Sequence, residues 1–393
     1  MKGFAMPVAP SSAPPLRDAR IVVLGGGPSG LAVARLLQMR GVPALVLERD
    51  TGPHARTQGG SLDLTEDGGQ HAVREMGLQD EFTALSRPHG QTLRILDTTA
   101  RMLLDIDQAD FEPSRPEIDR VTLRQILLDA LPSGTVRWST TVTEITPLPG
   151  RGYRVELPDG TGVDADLVIG CDGIGSCARP LRTPVRPTYC GVTFIRGDIA
   201  RPDPASFVAR HVGEGSMFAV GVNKAVLAQR NGDGSIHIYV ALRTDADPSH
   251  FRGSTVSDED VLLAELHAFL DGWSPEIHGI LDQVDGGFSY WPLHTVPIHQ
   301  EWSPHRGLTL VGDAAHVMPP FTGQGVNMAL LDALELVDAL TALPSDIEAA
   351  IASYEAAMLR RMAGVVAEAN AAGDHLLSAD GPAALLSNFG ATA

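Results

Sequence analysis

Ile21, Val22, Val23 and Leu24 form an unbroken, mostly β-branched apolar run that passes through a glycine cluster into residues 31–40, where apolar positions recur at helical spacing. The pattern predicts a buried parallel strand turning directly into a helix. Gly41 is a natural stop for that helix, and the apolar run at 42–47 predicts a second strand. Helical spacing returns at 69–78, and alternation at 92–106 predicts a hairpin of another sheet. Residues 117–127 read as an amphipathic helix start with Asp119 as N-cap and Leu123, Ile126, Leu127 and Leu131 inward. Strands are predicted at 135–139, 141–146, 153–157 and 166–170, then at 189–199, 216–222, 225–229 and 236–242, with a turn at 231–234 and a helix at 258–270. A further strand ends in Gly312-Asp313, ahead of a helix at 328–339. From the capping-box pattern at 344–348, Ile347, Ile351, Tyr354, Met358, Met362 and Val365 predict one long helix.

The fold class is therefore α/β, a Rossmann-like nucleotide-binding domain with an inserted sheet-based domain and a long C-terminal helix. The expected boundaries are a disordered leader at 1–18, a discontinuous nucleotide-binding domain at 19–76, 110–182 and 286–342, a substrate-binding domain at 77–109 and 183–285, a bridging helix at 343–374 and a tail at 375–393.

The glycines carry the first chemistry. Gly25-x-Gly27-x-x-Gly30 has the spacing of a dinucleotide-binding turn: Gly25 permits the tight bend, Gly27 lets a pyrophosphate approach the backbone, and Gly30 allows close helix packing. A plain glycine-rich turn is the alternative, and Glu48 argues against it. It ends the second strand about twenty residues on, beside Arg49, where a ribose-binding acid belongs. An acid there repels a 2′-phosphate, so the tightly held nucleotide is expected to be FAD or NAD.

Two more strand ends resemble the first. A buried strand runs into Asp172-Gly173, followed by Ser176 and Arg179. Another runs into Gly312-Asp313-Ala314-Ala315-His316 and then Pro319-Pro320-Phe321-Thr322-Gly323-Gln324-Gly325-Val326-Asn327, a second helix start able to attract anionic or oxygen-rich groups. The loop at 51–65, with Arg56 and Gly59-Gly60-Ser61-Leu62-Asp63-Leu64, reads either as a cofactor-contacting loop or as a plain connection.

Composition narrows the classes. A formal charge of -18 excludes nucleic acid and anionic membrane as expected partners, since both need a basic face. No apolar run has the length of a membrane span, and the Pro/Ala/Ser-rich start lacks the centre of a signal peptide, so a cytoplasmic protein is expected, monomeric or weakly dimeric. Cys171, Cys177 and Cys190 have neither disulfide nor zinc spacing and read as inert thiols.

The three motifs together, spanning residues 21–340, resemble the flavoprotein aromatic hydroxylases of the para-hydroxybenzoate hydroxylase fold. Within that fold the chain is most similar to the tetracycline-inactivating flavin monooxygenases, through 59–64, Glu117-Ile118-Asp119-Arg120 with Leu123-Arg124, and the 312–327 stretch. The resemblance implies an FAD-binding domain with FAD held by Gly25, Gly27, Gly30, Glu48, Arg49, Asp63, Arg120, Asp172, Gly312, Asp313, Pro320, Gly323, Gly325 and Asn327. It implies Arg56 for the phosphate of NADPH, and Arg196, Met217, His237 and Phe321 around the substrate. Arg196 and Gly215 stand where that family places a glutamine and an arginine on the drug, which points away from tetracycline itself and toward another fused-ring or phenolic polyketide.

The implied reaction is hydroxylation of an aromatic, phenolic or enol ring: NADPH or NADH reduces FAD, O2 adds as a flavin C4a-hydroperoxide, and one oxygen atom is transferred. No acid or base is assigned. His316 reads as a structural histidine, His237 as either a substrate hydrogen-bonding group or a half-buried strand residue, and Arg120 and Arg124 alone as a solvated helix face. An FAD reductase, a halogenase or a ligand-sequestering flavoprotein are the alternatives, and no Trp-x-Trp-x-Ile-Pro stretch supports the halogenase.

Overall fold

The structure, a computed structural model, describes residues 14–55, 59–88, 90–106, 114–149, 151–245, 247–248, 259–303 and 306–387. Arg56, most of the leader, position 258 and the last residues of the tail lie outside them.

Ile21–Leu24 is the centre of a five-stranded parallel sheet, flanked on one side by Leu167–Gly170 and Leu308–Leu310 and on the other by Ala44–Leu47 and Val136–Arg137. Ile21–Leu24, Leu167–Gly170 and Leu308–Leu310 are buried along their whole length, which is why the first two read as continuous apolar runs instead of alternating ones. The helix Pro28–Met39 follows the first strand with only Gly25, Gly26 and Gly27 between them. It packs along Gln324–Ala342, which starts four residues earlier than the expected helix.

The other large sheet has seven strands, running Asp285–Thr295, Thr188–Ile199, Ile236–Arg243, Lys224–Arg230, Ser216–Gly221, Leu93–Leu96 and Met102–Ile106. One face packs under helices Glu259–Phe269 and Pro275–Leu281 through Ile195, Met217, Val226, Ile238 and Leu266. The other carries Phe194, Leu227, Tyr239 and Phe218, with Phe321, which follows the third motif, packed against it.

Helix Ile347–Leu376, 30 residues and about 45 Å long, joins the two cores. Asp346 caps it by accepting the Ala349 N–H at 3.0 Å. Ile347 through Ala369 lie in the core around the parallel sheet, whereas Leu376 and Leu377 lie against the seven-stranded sheet. The buried stripe passes from Met362 to Val366, and Val365 is only half-buried, because a step of four keeps the apolar face turned inward.

Several boundaries move. Asp285–Thr295 pairs with Thr188–Ile199, so the nucleotide-binding segment cannot begin at 286. Helix Gln79–Leu85 belongs to the first core through Leu78 and Phe82, although 77–109 was assigned to the second. The leader's end is anchored, since Leu16 is buried and its N–H bonds to the Pro344 carbonyl. Leu385 and Leu386 of the tail are buried too, on the seven-stranded sheet. Glu117–Asp119 is a strand paired with Ser61–Asp63, not a helix start. Asp119 occupies the cap position, but its carboxylate is taken by Arg87 and the Gly232 N–H, which leaves the helix end without a side-chain cap.

Candidate active site

The first and second motifs meet directly. A Cβ on Gly25, whose φ is +97°, would lie 2.5 Å from the Cys171 carbonyl oxygen and 3.1 Å from Asp172 Cα. Gly30 packs onto the Gly25 carbonyl with no room for a side chain, whereas Gly27 faces open space. Buried Glu48 accepts the Gly26 N–H at 2.5 Å and the Asp50 N–H at 2.8 Å, which shapes the turn, and Arg49 is exposed beside it. Asp172 Oδ2 accepts the Cys177 N–H at 2.8 Å, while its Oδ1 is buried without a partner among the described residues. Burial, with Asp172 adjacent, pushes the Cys177 thiol up, so it stays protonated as an inert thiol.

The third motif is held from behind. Asp332, fully buried, accepts the Gly312 N–H at 3.0 Å and His316 Nε2 at 2.5 Å, and Arg361 of the long helix donates to its other oxygen. Burial opposes that charge, but His316, Arg361 and the Gly312 N–H together hold the Asp332 carboxyl below the usual range. His316 is thus a buried, hydrogen-bonded group that helps hold Asp332 behind the turn. Gly312, at φ +63°, brings the motif to the first one: its Cβ position is 3.6 Å from Ser29 Cβ. Asp313 and Pro320 are exposed among buried neighbours. Arg179 donates to the Asp313 carbonyl at 3.3 Å, and burial lowers its guanidinium to about 10 against the pull of Asp313 and Asp172.

Asn327 ties the 59–70 loop to the helix start. Its Oδ1 accepts the Thr65 and Gly69 N–H groups at 2.8 and 3.0 Å, and its Nδ2 donates to the Asp63 and Gly323 carbonyls at 2.9 and 3.1 Å. All four partners are backbone groups, so this side chain positions the loop. Asp63 pairs with Arg115, and burial nevertheless raises its carboxyl above the ordinary range. Gly323, at φ +66°, could not carry a Cβ, which would lie 2.6 Å from Asp63 Oδ1; Gly325 again faces open space. Arg120 lies alongside the same loop, its Nε 3.5 Å from the Cβ position of Gly59.

Across from Gly60, three side chains of the seven-stranded sheet converge. Gln229 Oε1, His237 Cδ2 and the Tyr239 hydroxyl lie 3.3, 3.4 and 3.4 Å from its Cβ position. Phe194 contacts both Tyr239 and Phe321, with ring centroids 5.5 and 5.8 Å apart. Arg196, in register with Tyr239, grips Asp198 through Nε and Nη2 at 3.1 and 3.0 Å. Met217 is a correction. It is fully buried on the opposite, helix-covered face, because side chains alternate along a strand, and its neighbour Phe218 takes the facing position. Gly215 packs onto Thr92, which leaves no space for a side chain where the family resemblance implies an arginine in relatives.

Arg124 is the residue that sequence reasoning undervalued. It is 2% exposed and donates to the Gly26 carbonyl at 2.8 Å, the Pro53 carbonyl at 2.9 Å and Asp50 at 3.4 Å, with its guanidinium over Trp138. Helical spacing placed it one turn from Arg120, yet only the neighbouring strand turns reveal that it is enclosed.

The residues fit FAD. Gly27 and Gly325 leave unfilled space at the starts of two long helices, neither with a side-chain cap, so free N–H groups face the crevice. Fold and site together define a flavoprotein oxidoreductase with a parallel-sheet nucleotide domain apposed to a larger sheet. A family profile described as FAD binding domain matches residues 18–369, and the chain belongs to that family as an FAD-dependent monooxygenase. It is 31% identical to a 3-amino-4-hydroxybenzoate 2-monooxygenase of Streptomyces cremeus, over 93% of this chain and 90% of that one. It is 29% identical to the monooxygenase penA of Penicillium thymicola, over 82% and 84%. Among solved structures, the tetracycline destructase Tet(55) shares the fold with a TM-score of 0.72 and 20% identity, covering 92% and 90%. Among the described residues, no helix is long and apolar enough to cross a membrane and no cluster suits a metal ion.

Proposed function

We propose that the protein uses NADPH or NADH and O2 to hydroxylate an electron-rich ring, aromatic, phenolic or enolic, in a small molecule of the hydroxybenzoate to polycyclic polyketide range. Gly25, Gly27, Gly30 and Glu48 would hold the adenosine half of FAD, with Asp172, Asp313, Asp63, Arg120 and the Gly323–Asn327 helix start around the remainder. Bound FAD supplies reduction and oxygen activation. The protein's part is to orient the ring and keep water out. Phe194, Phe321 and Tyr239 make the apolar wall for a flat ring, and Arg196 and His237 offer polar contacts to its hydroxyls. The observation that carries this reading is the convergence of His237, Tyr239 and Gln229 on Gly60, which sets a mixed aromatic and polar wall against the cofactor loop. The hydroxybenzoate name of the Streptomyces relative supports the phenolic end of the range.

The test is a panel of hydroxybenzoates, simple phenols, anthraquinones and tetracyclines, assayed for NADPH and NADH oxidation and for product mass. Substrate-stimulated oxidation with a gain of one oxygen atom is expected. Turnover without oxygen incorporation would replace this reading with a reductase, and binding without turnover with a sequestering protein.

A further inference from the structure

Arg87 lies between helix Gln79–Leu85 and strand Leu93–Leu96, outside the groups assigned to FAD or substrate, yet it ties the two walls of the chamber together. Its backbone N–H and carbonyl both pair with Glu117, at 2.6 and 3.1 Å, which lays it along the cofactor-side ribbon of Ser61–Asp63 and Glu117–Asp119. Its guanidinium grips that ribbon through Asp119 at 2.7 Å, Ser61 at 2.8 Å and Glu117 at 3.2 Å. The same Nη2 reaches the carbonyl of Arg230, the last residue of a strand of the seven-stranded sheet, at 3.4 Å. Asp119 closes the clasp, because both its oxygens accept the Gly232 N–H, at 3.0 and 2.9 Å. Gly232 has no room for a side chain there: a Cβ would lie 2.5 Å from Arg87 Nη1 and 2.8 Å from Asp119 Oδ2.

Each of these partners is one residue away from the chamber. Ser61 follows Gly60, and Asp119 precedes Arg120, whose Nε lies 3.5 Å from the Cβ position of Gly59. Arg230 follows Gln229, whose Oε1 lies 3.3 Å from the Cβ position of Gly60. One planar fork therefore holds both walls from behind, which the point charge of a lysine could not do. We propose that Arg87 is a positioning residue for oxygenation: with Asp119 and Gly232 it clasps the substrate sheet to the cofactor loop and fixes the separation of the two walls; this rests on the hydroxylase reading. The two electrons of each NAD(P)H, with a proton and O2, give one hydroxylated ring and one water when the ring is held in reach. When it is not, or when water enters, the same electrons, proton and O2 give one H2O2. The clasp sets the ratio of the two outcomes.

Two variants open the clasp from opposite sides and remove no charge: Arg87→Lys on the cofactor side and Gly232→Ala on the substrate sheet. The first measurement is amide hydrogen exchange of the full chain, with and without FAD. The turn at 231–235 should exchange about tenfold faster in both variants, after correction for intrinsic rates, while the strands on either side of it keep wild-type protection. Unchanged exchange of the turn in both variants would overturn the proposal whatever the substrate. The second is hydroxylated product and H2O2 per NAD(P)H, with a phenol that the panel shows to be oxygenated. Both variants should keep FAD affinity and NAD(P)H oxidation within about twofold of wild type, while product per NAD(P)H falls about fivefold and H2O2 makes up the difference. A merely structural role would lower oxidation and product together, and that result, or wild-type coupling in both variants, would sink the proposal. If wild type oxygenates no ring at all, the hydroxylase reading fails instead, and the exchange rates still decide whether the clasp exists.

Discussion

Gly30 sits against the carbonyl oxygen of Gly25 so closely that a Cβ on it would penetrate that atom, while Gly27, the residue just before the helix, has nothing within 4 Å of its Cβ position. The same motif thus contains one glycine required by packing and one left clear for a ligand. Gly30→Ala is expected to prevent folding of the nucleotide domain. Gly27→Ala should fold with stability within about 1 kcal/mol of wild type, yet weaken FAD at least about tenfold. Thermal unfolding of the apoprotein beside FAD titration by flavin fluorescence separates the two effects. Equal affinity in Gly27→Ala would mean that the open space is not where the pyrophosphate lies.

Arg124 is held at 3% side-chain exposure against Asp50, at 6%. Removing one member of such a pair leaves a buried charge uncompensated and costs about 3 kcal/mol or more. Arg124→Met should therefore destabilise the apoprotein by about that amount and slacken the turn at Gly26, whose carbonyl it binds. Urea unfolding with and without FAD checks this, and FAD should recover part of the loss by mass action.

These positions also show what a linear chain can reveal. The parallel sheet was legible because strands buried on both faces are uniformly apolar, and the glycine spacings were legible because each serves a local turn. Met217, placed at the substrate only by the family resemblance, lies on the helix-covered face, and strand alternation tells that two faces exist and not which one a helix covers. Asp198 and Asp332 go unread in the linear pattern, and Arg124 reads there only as part of a solvated helix face, for a related reason. Each acts across elements far apart in sequence, as Asp332 does with Gly312 and Arg361, and no local pattern records such a pairing. The strand Asp285–Thr295 was assigned to the wrong body because its partner, Thr188–Ile199, lies about a hundred residues earlier.

Asp166, at the start of the second motif's strand, accepts from Arg20 at 2.9, 3.1 and 3.2 Å and from Arg151 at 3.0 Å. Burial opposes its charge, but these arginines draw its carboxyl down to about 2. A depressed folded-state value means stabilisation that is complete above the ordinary carboxylate range, near pH 4, and is lost as pH falls toward about 2. Arg20 is 56% exposed, so the contribution is modest, about 1 kcal/mol. Asp166→Asn should melt lower than wild type at pH 7 and converge on it by pH 2. A constant gap between the two melting curves across that window would refute the assignment.

Gly373, inside the long helix, leaves no room for a Cβ beside the Phe321 ring, which in turn packs edge-on against Phe194. Alanine in place of glycine within a helix ordinarily stabilises by about 1 kcal/mol, so Gly373→Ala gains in propensity what it loses in contact. Its melting temperature should stay near wild type. The Phe321 ring must move, however, and it forms part of the wall on which a flat substrate would rest. Substrate-stimulated NAD(P)H oxidation in Gly373→Ala should therefore show a raised KM, several-fold, or a changed order of preference across the phenol panel. The effect should vanish when the same change is made in a Phe321→Ala background, because the clash then has no partner. Persistence of the defect in the double variant would place its cause in the helix instead of in the ring.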